Sequence, residues 1–332
     1  MAEVQVAALG NAIVDVIAEV DDSFLSEYAI PKGGMMLIDT ETAHAITDAF
    51  TSTVRIAGGS AGNTCACIAS LGGTARFVGK VRDDELGEAY RSSMREAGVM
   101  FDTPSSRESL PSGRCLIAVT PDAQRSMSTY LGAAGQLSPA DIVEGDFENA
   151  QICFLEGYNF EAPDARAACM AAVERAKGSG RFTAMTLSDR GMVERQLEPL
   201  RPFLKEKIDM IFANEDEARV LTGEDDLLQA AKKMREYALW GALTMSERGS
   251  YVFGPQGEIE KVEAIKPPQL IDTTGAGDAY AAGWLYGFTT CLPLAECGRL
   301  GALCATEVIS HKGARPETDL RELARRKGIL HD

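Results

Sequence analysis

The stretch DTTGAGDAYAAGWLYG, Asp272 to Gly287, sets four glycines among small and apolar residues and places one carboxylate, Asp278, directly after Gly275-Ala276-Gly277. Gly275 and Gly277 allow unusual backbone torsions and close approach of a ligand. The small residues that follow recur at helical spacing, which predicts a tightly packed helix over residues 275–290. The first amides of such a helix have no intrahelical acceptor, and they add to the positive end of its dipole. That combination is an anion site, suited to a phosphoryl group whose charge is redistributed as it transfers. Asp278 then has two readings. A helix-start acid ordinarily offsets the dipole; this one is also placed to take the proton of a hydroxyl attacking the phosphoryl group. The positive helix end favours the ionised carboxylate and makes it a weak base. A loose transition state tolerates this, because the hydroxyl proton leaves late and the carboxylate mainly orients the attacking oxygen.

Outward from this helix the chain alternates strand-like and helix-like stretches. VQVAALG, ARFVGKV, QICFLEG, RFTAMTLS, IDMIFAN and WGALTMSE read as strands, and AGNTCACIASLGG, DELGEAYRSSMREAGV, PDARAACMAAVERAKGSG, EDEARVLTG and LLQAAKKMREYA as helices. GSYVFGPQGEIEKVEA reads as a hairpin turning at Pro255-Gln256-Gly257, and two helices, over residues 275–290 and 294–310, close the chain. Repeated β-α units of this kind predict an α/β fold with a doubly wound, mostly parallel central sheet and helices on both faces. Two segments break the rhythm: AIVDVIAEVDDSFLSEYAIPKGGMMLID and PSSRESLPSGRCLIAVTPDAQRSMSTYLG read as antiparallel strands with turns and carry no long helix. They are expected to form one small β-sheet lid, residues 13–39 and 101–130, over a core of residues 1–12, 40–100 and 131–332. Such a lid serves chemistry that must exclude water; the alternative is two β excursions that never meet.

The chain has 332 residues, 45% of them apolar, enough for one large domain or a core with a smaller partner. Its net charge of −16 argues against a nucleic-acid partner, since nothing would neutralise a phosphate backbone. Any phosphate ligand must be held locally, by amides, a metal or a few placed arginines. The eight cysteines form no CxxC pair and only three histidines accompany them, so a zinc site is not expected. Most of the cysteines lie among Ala, Ile and Leu, as small buried hydrophobes in a reducing cytoplasm. The N-terminus lacks the basic region of a signal peptide, and no apolar run of about 18 residues is present to span a membrane. A P-loop, the motif set of protein kinases and a dinucleotide fingerprint are all absent.

DTTGAGDAYAAGWLYG closely resembles the C-terminal signature of the PfkB, or ribokinase-like, family of carbohydrate and nucleoside kinases, and GGSAGNTCACIASLGG, Gly58 to Gly73, resembles the same family's N-terminal signature. The two signatures stand in the expected order, so the resemblance covers nearly the whole chain. It implies a ribokinase-like fold, ATP along the core near the last helices, a sugar or nucleoside beneath the lid, and transfer to a primary hydroxyl with Mg2+ present. By match to the motif, Asp278 would be the catalytic base and Gly275, Ala276 and Gly277 the anion hole. ANEDEA resembles the family's NxxE element, in which Asn214 and Glu217 organise Mg2+ through its waters; by themselves they read as a helix cap and an exposed acid. LTMSERGSYVF resembles the ATP-site strand and loop, placing Thr244 and Gly249, with Thr274, near the nucleotide. Here Ser246 departs from the pattern, standing where many members have glycine. ISHKGARP, with His311 and Gly313, would flank the adenine and, in many relatives, a site for a monovalent cation such as K+. His311 reads as a packing or edge residue.

The N-terminal signature narrows the substrate. Gly58-Gly59-Ser60 and Asn63 resemble the adenosine kinase branch of the family, as does GNAIVDV, in which Asn11 and Asp15 would hold ribose hydroxyls. An amide that donates and accepts beside a carboxylate that accepts suits a vicinal diol, although Asp15 between two valines also fits the polar side of an ordinary strand. PDAQRSMSTYLGAAGQL resembles the same branch's lid, with Arg125 placed to reach phosphate oxygens when the lid closes. Ile13, Met36, Met127 and Tyr158 are the candidates for an apolar slot holding the base. The implied reaction is ATP-dependent phosphorylation of the 5'-hydroxyl of adenosine. The alternatives are a kinase for ribose, fructose or a 2-keto-3-deoxy sugar acid, and a non-catalytic nucleoside-binding protein. A monomer is expected, with pairing through exposed lid edges as the other arrangement.

Overall fold

The computed structural model describes residues 4–331 except 123. Residues 1–3, 123 and 332, which fall within the expected core and lid spans, lie outside the described residues. The chain opens with β1 (Val4–Leu9) and β2 (Ile13–Glu19), followed by α1 (Asp22–Glu27), β3 (Met35–Leu37), α2 (Thr40–Ala49) and β4 (Val54–Ala57). Next come α3 (Ser60–Ser70), β5 (Ala75–Val78), α4 (Glu85–Glu96), β6 (Gly113–Val119) and β7 (Arg125–Tyr130). The second half runs β8 (Ala150–Glu156), α5 (Pro163–Gly178), β9 (Phe182–Thr186), α6 (Arg190–Lys207), β10 (Met210–Asn214), α7 (Glu215–Thr222) and α8 (Leu227–Met234). It finishes with β11 (Trp240–Thr244), β12 (Ser250–Phe253), β13 (Ile259–Val262), α9 (Ala276–Thr289), α10 (Leu294–Val308) and α11 (Leu320–Arg326).

An eight-stranded sheet in the order β13-β12-β11-β10-β9-β8-β1-β5 forms the centre. Its strands from β11 to β5 pair in parallel, and the β12-β13 hairpin closes one edge antiparallel. Alternate residues of the central strands enter two separate cores. Val6, Ala8, Ile152, Phe154, Met210 and Phe212 face the layer of α3, α9 and α10. Ala7, Leu9, Cys153, Leu155, Ile211 and Ala213 face the layer of α5 to α8. A strand apolar on both sides is what a sheet covered by helices on both faces requires.

The two irregular segments do meet, in a five-stranded sheet of order β3-β7-β6-β2-β4. The sheet is mixed, where antiparallel strands were expected. β2 pairs β6 and β3 pairs β7 in parallel, whereas β6-β7 and β2-β4 are antiparallel. Parallel pairing needs a long crossover, and between β2 and β6 the chain makes a full excursion through the core. β4 belongs to this sheet although it lies inside the span assigned to the core.

Three further differences have local causes. α6 is a helix of 18 residues despite Pro199 and Pro202, which mask it in the sequence. Burial of Val193, Leu200, Phe203 and Leu204 carries the helix past the missing amide donors. α2 is a short surface helix started by Asp39, whose side chain accepts from the Thr42 amide. Lastly α11 follows α10, so three helices rather than two end the chain, and Leu320 and Ala324 seal it onto the core. Among the described residues no helix is long and apolar enough to cross a membrane.

Candidate active site

The functional positions collect where parallel strands end. Asn11 follows β1, Glu156 ends β8, Asn214 ends β10 and Thr244 ends β11. This carboxyl edge is where open α/β sheets bind ligands. The small sheet faces it, and α9 starts between the two.

Gly275 takes φ 77°, a left-handed torsion that turns the chain into α9, and a Cβ there would press into Ala314. The Ala276 amide turns back onto the Thr273 carbonyl at 3.2 Å and the Ala279 amide onto that of Gly275 at 2.9 Å. Among the described residues the amides of Gly277 and Asp278 have no backbone acceptor. The Gly275 amide likewise has no acceptor, so of the expected Gly275-Ala276-Gly277 set only the Ala276 amide is taken up, by the turn before the helix. Beside Gly277 the space is open.

Asp278 is partly exposed on the first turn of α9, and α3 holds both of its oxygens. The Ser60 hydroxyl donates to Oδ1 at 2.6 Å and the Asn63 amide donates to Oδ2 at 3.0 Å. The Thr64 hydroxyl donates to the Asp278 carbonyl at 3.2 Å. Burial raises the carboxyl above its ordinary range, and the Ser60 and Asn63 hydrogen bonds pull it part of the way back. Sequence spacing could not join these groups, which lie 218 and 215 residues apart.

Asp15 sits on the face of β2 turned toward this carboxylate. Gly58 lies against it, such that a Cβ on Gly58 would stand 2.7 Å from Asp15 Oδ2. Burial pushes Asp15 up to about 7, opposed by Arg125 and Arg315 and reinforced by Asp272 and Asp278. Gly59 adopts φ 83°, and a Cβ there would collide with the Asn11 carbonyl.

Asn11 is not free to hold a ligand with its whole amide. Its backbone N–H and Nδ2 both donate to Glu156 Oε1, at 2.9 and 2.8 Å, while Ala61 donates to Glu156 Oε2 at 2.8 Å. Only Oδ1 of Asn11 has no partner among the described residues. Glu156, 1% exposed, ties the turn into the small sheet to the start of α3, and burial pushes its carboxyl up to about 7 against those three donors. Nothing in the sequence marks it, because a strand-end acid carries no local signal.

Asn214 caps α7 in a reciprocal box: its Oδ1 accepts from the Glu217 amide at 3.0 Å, and Glu217 accepts from the Asn214 backbone at 2.9 Å and side chain at 2.7 Å. Glu217 is buried rather than exposed, and burial pushes its carboxyl up to about 7. The charges acting on it, Asp189, Asp216 and Asp278, are all acids. A buried carboxylate in a wholly acidic field suits a hydrated divalent cation.

Thr274, Gly313 and Arg125 converge on a residue the sequence did not single out, Asp272. Its Oδ1 accepts from the Thr274 amide at 3.0 Å and hydroxyl at 2.7 Å, and its Oδ2 from the Gly313 amide at 3.0 Å. Arg125, expected to reach phosphate oxygens, forms an ion pair with Asp272 instead. Burial would raise the Asp272 carboxyl, but these partners outweigh it and hold it below the usual range.

The remaining candidates divide. Ile13 and Met127 share an apolar cluster with Ile117 on the cleft-facing side of the small sheet. Met36 does not join them. The register Met35↔Met127 and Met36↔Ser128 turns it to the opposite face, so Met35 takes that side. The Tyr158 hydroxyl donates to the Ser188 carbonyl at 3.3 Å, and its ring stands near Asp189, Asp278, Glu156 and Glu217. Ser246 takes φ 51°, the left-handed torsion that glycine adopts without strain, at a cost of about 1–2 kcal/mol. Gly249 closes the same loop, its carbonyl accepting from Met245 at 2.7 Å, and Thr244 sits at the strand end before it. His311 bonds Glu307 at 3.2 Å and stays at the edge.

The chain has counterparts among known proteins. The family description "pfkB family carbohydrate kinase" matches residues 30–320. An adenosine kinase structure from Sinorhizobium meliloti is 42% identical, superposes with a TM-score of 0.91, and the match covers 98% of this chain and 100% of that one. A probable sugar kinase from Rhizobium etli CFN 42 is 39% identical with a TM-score of 0.92, over 99% of this chain and 100% of that one. Adenosine kinase 2 of Arabidopsis thaliana is 26% identical over 329 residues, covering 92% of this chain and 93% of its own.

Proposed function

The chain belongs to the pfkB family of carbohydrate kinases and is an ATP-dependent kinase, and from that premise we propose that it phosphorylates the 5'-hydroxyl of adenosine to give AMP and ADP. The observation that carries the reading is the Asp278 carboxylate, held by Ser60 and Asn63 beside the outward amides of Gly277 and Asp278. Asp278 accepts the proton of the 5'-hydroxyl and aims its oxygen; the amides take the charge of the phosphoryl group in flight. Asp15 and the Asn11 Oδ1 accept from ribose hydroxyls. The apolar cluster of Ile13, Ile117 and Met127 supports a nucleoside over a free sugar, because a flat base needs an apolar slot where a sugar needs hydrogen bonds. Glu217 would hold Mg2+ through its waters, and the ion would supply charge neutralisation at the ATP phosphates. Thr244, Gly249, Thr274 and Gly313 border the nucleotide. A cytoplasmic place fits buried thiols and a substrate pool of soluble nucleosides.

The second reading, a sugar kinase, is favoured by the likeness to the Rhizobium etli protein. ATP turnover with adenosine beside ribose, fructose and 2-keto-3-deoxygluconate decides between them; faster turnover with any of the sugars sinks the adenosine assignment. Asp278→Asn separates catalysis from binding. It is expected to lose about 10²–10⁴ of kcat while the protein still binds adenosine. Unchanged turnover would remove Asp278 from the mechanism.

A further inference from the structure

Arg315 lies in the loop between α10 and α11, outside both sequence signatures. Its Nε donates to the Asn63 Oδ1 at 3.4 Å, Nη1 to the Ser93 hydroxyl at 3.0 Å, and Nη2 points to the Met94 sulfur at 3.1 Å. One side chain thus spans the C-terminal loop, α3 and α4. Asn63 is 4% exposed and has Arg315 on one side and Asp278 on the other.

The chemistry of an amide makes this arrangement directional. A guanidinium can only donate, so the Asn63 end facing it must be the oxygen. The end facing Asp278 is then the NH₂ group, which can only donate in turn. An amide held this way donates to either form of the acid, but more strongly to the ionised carboxylate, and it cannot accept from the acid's O–H. Released from Arg315, the amide can rotate by half a turn and accept a hydrogen bond from the O–H of a neutral Asp278. We propose that Arg315 is a positioning residue of the transfer site, locking the Asn63 amide in the one orientation that keeps Asp278 a base.

The surroundings leave that task to Arg315. The groups whose charge couples to Asp278 are Asp15 on β2, Cys67 on α3, Glu156 and Tyr158 at the end of β8, and Glu217 on α7. None of them carries a positive charge; the Ser60 hydroxyl and the N-terminal end of α9 support the ionised carboxylate, but neither fixes the Asn63 amide. Arg125, the other cation beside Asp15, is engaged by Asp272.

The inference rests on the kinase reading of Asp278, and the experiment keeps the two apart. The pH dependence of kcat is measured at saturating ATP and adenosine for the wild type, Arg315→Met and Arg315→Lys, with melting temperatures alongside. Arg315→Met is expected to move the acidic limb up by about one pH unit, losing about tenfold at low pH and little at high pH. Arg315→Lys keeps the charge and one donor and leaves the limb in place. In an Asn63→Leu background, Arg315→Met has no further effect on the limb. A loss equal at every pH, a shifted limb in Arg315→Lys, or a shift that persists without the Asn63 amide overturns the proposal. If Arg315→Met does not fold, Arg315→Ala takes its place, alone and in the Asn63→Leu background, with the same expected and overturning outcomes. A wild type that turns over neither adenosine nor any sugar refutes the kinase reading itself.

Discussion

Arg125, on a strand of the small sheet, is ion-paired with Asp272, 147 residues later, in the core loop that leads into α9. The other oxygen of Asp272 holds the amide and hydroxyl of Thr274. The small sheet is thereby fastened to the turn that presents the outward amides. Arg125→Ala is expected to leave Asp272 buried without its cation, at a cost of about 1.5–3 kcal/mol. It should lower the melting temperature and raise the KM for adenosine together. Arg125→Lys should recover little of this, because a point charge does not reproduce the planar guanidinium. Steady-state kinetics with an unchanged KM would show that the pair plays no part in closing the cleft.

Asp15 gives a pH signature of its own. Its carboxyl is pushed up to about 7 in the folded chain, above the ordinary 3.8, so the folded state binds a proton that the unfolded chain has released. The stabilisation is complete below the unfolded value and is lost as pH rises through the folded one. In the ligand-free protein Asp15→Asn should therefore melt higher than wild type at about pH 8, by a smaller margin at about pH 5, and close to it only below about pH 4. The same variant should bind adenosine more weakly, since an acceptor for ribose hydroxyls is lost. A melting-temperature difference that is flat across that pH range would contradict the burial argument.

Gly59 cannot be replaced quietly. Its left-handed torsion and its contact with the Asn11 carbonyl leave no room for a methyl group. Gly59→Ala should cost about 2–4 kcal/mol in urea unfolding and displace Ser60 from Asp278. A variant of wild-type stability and activity would mean that the turn has slack the geometry does not show.

Thiol chemistry tests the core directly. Seven cysteines are buried and Cys291 is exposed. Burial pushes Cys65, Cys115 and Cys297 up to about 12. Titration of the native protein with an aromatic disulfide should consume one equivalent quickly and the remainder only on unfolding. Replacing Cys291 by serine should abolish the fast phase.

The periodicity of the strands and the glycine-rich helix start were legible in the residues, because both are local. The near-continuous apolar runs in VQVAALG and IDMIFAN mark strands covered on two faces, and the torsion of Gly275 follows from the turn that DTTGAGD must make. Asp278, Ser60 and Asn63 could each be named from the two signatures. Their contact could not be read from spacing, since nothing in a chain states the distance between residues more than two hundred positions apart. Glu156, Asp272 and Arg315 are silent in the sequence for the same reason. Even where the surrounding stretch was singled out, as for Asp272 and Arg315, the residue's meaning lies in what folding sets beside it. Met36 shows the limit at its sharpest: composition chose the right strand, but pairing register decides which face a side chain takes, and one residue of register reverses the answer. The sequence by itself determined the order of the elements, the two-faced sheet and the carboxylate at a helix start. Only the tertiary structure decided which groups hold that carboxylate, how its proton is governed and where the small sheet is fastened, because burial, field and hydrogen bonding act through space rather than along the chain.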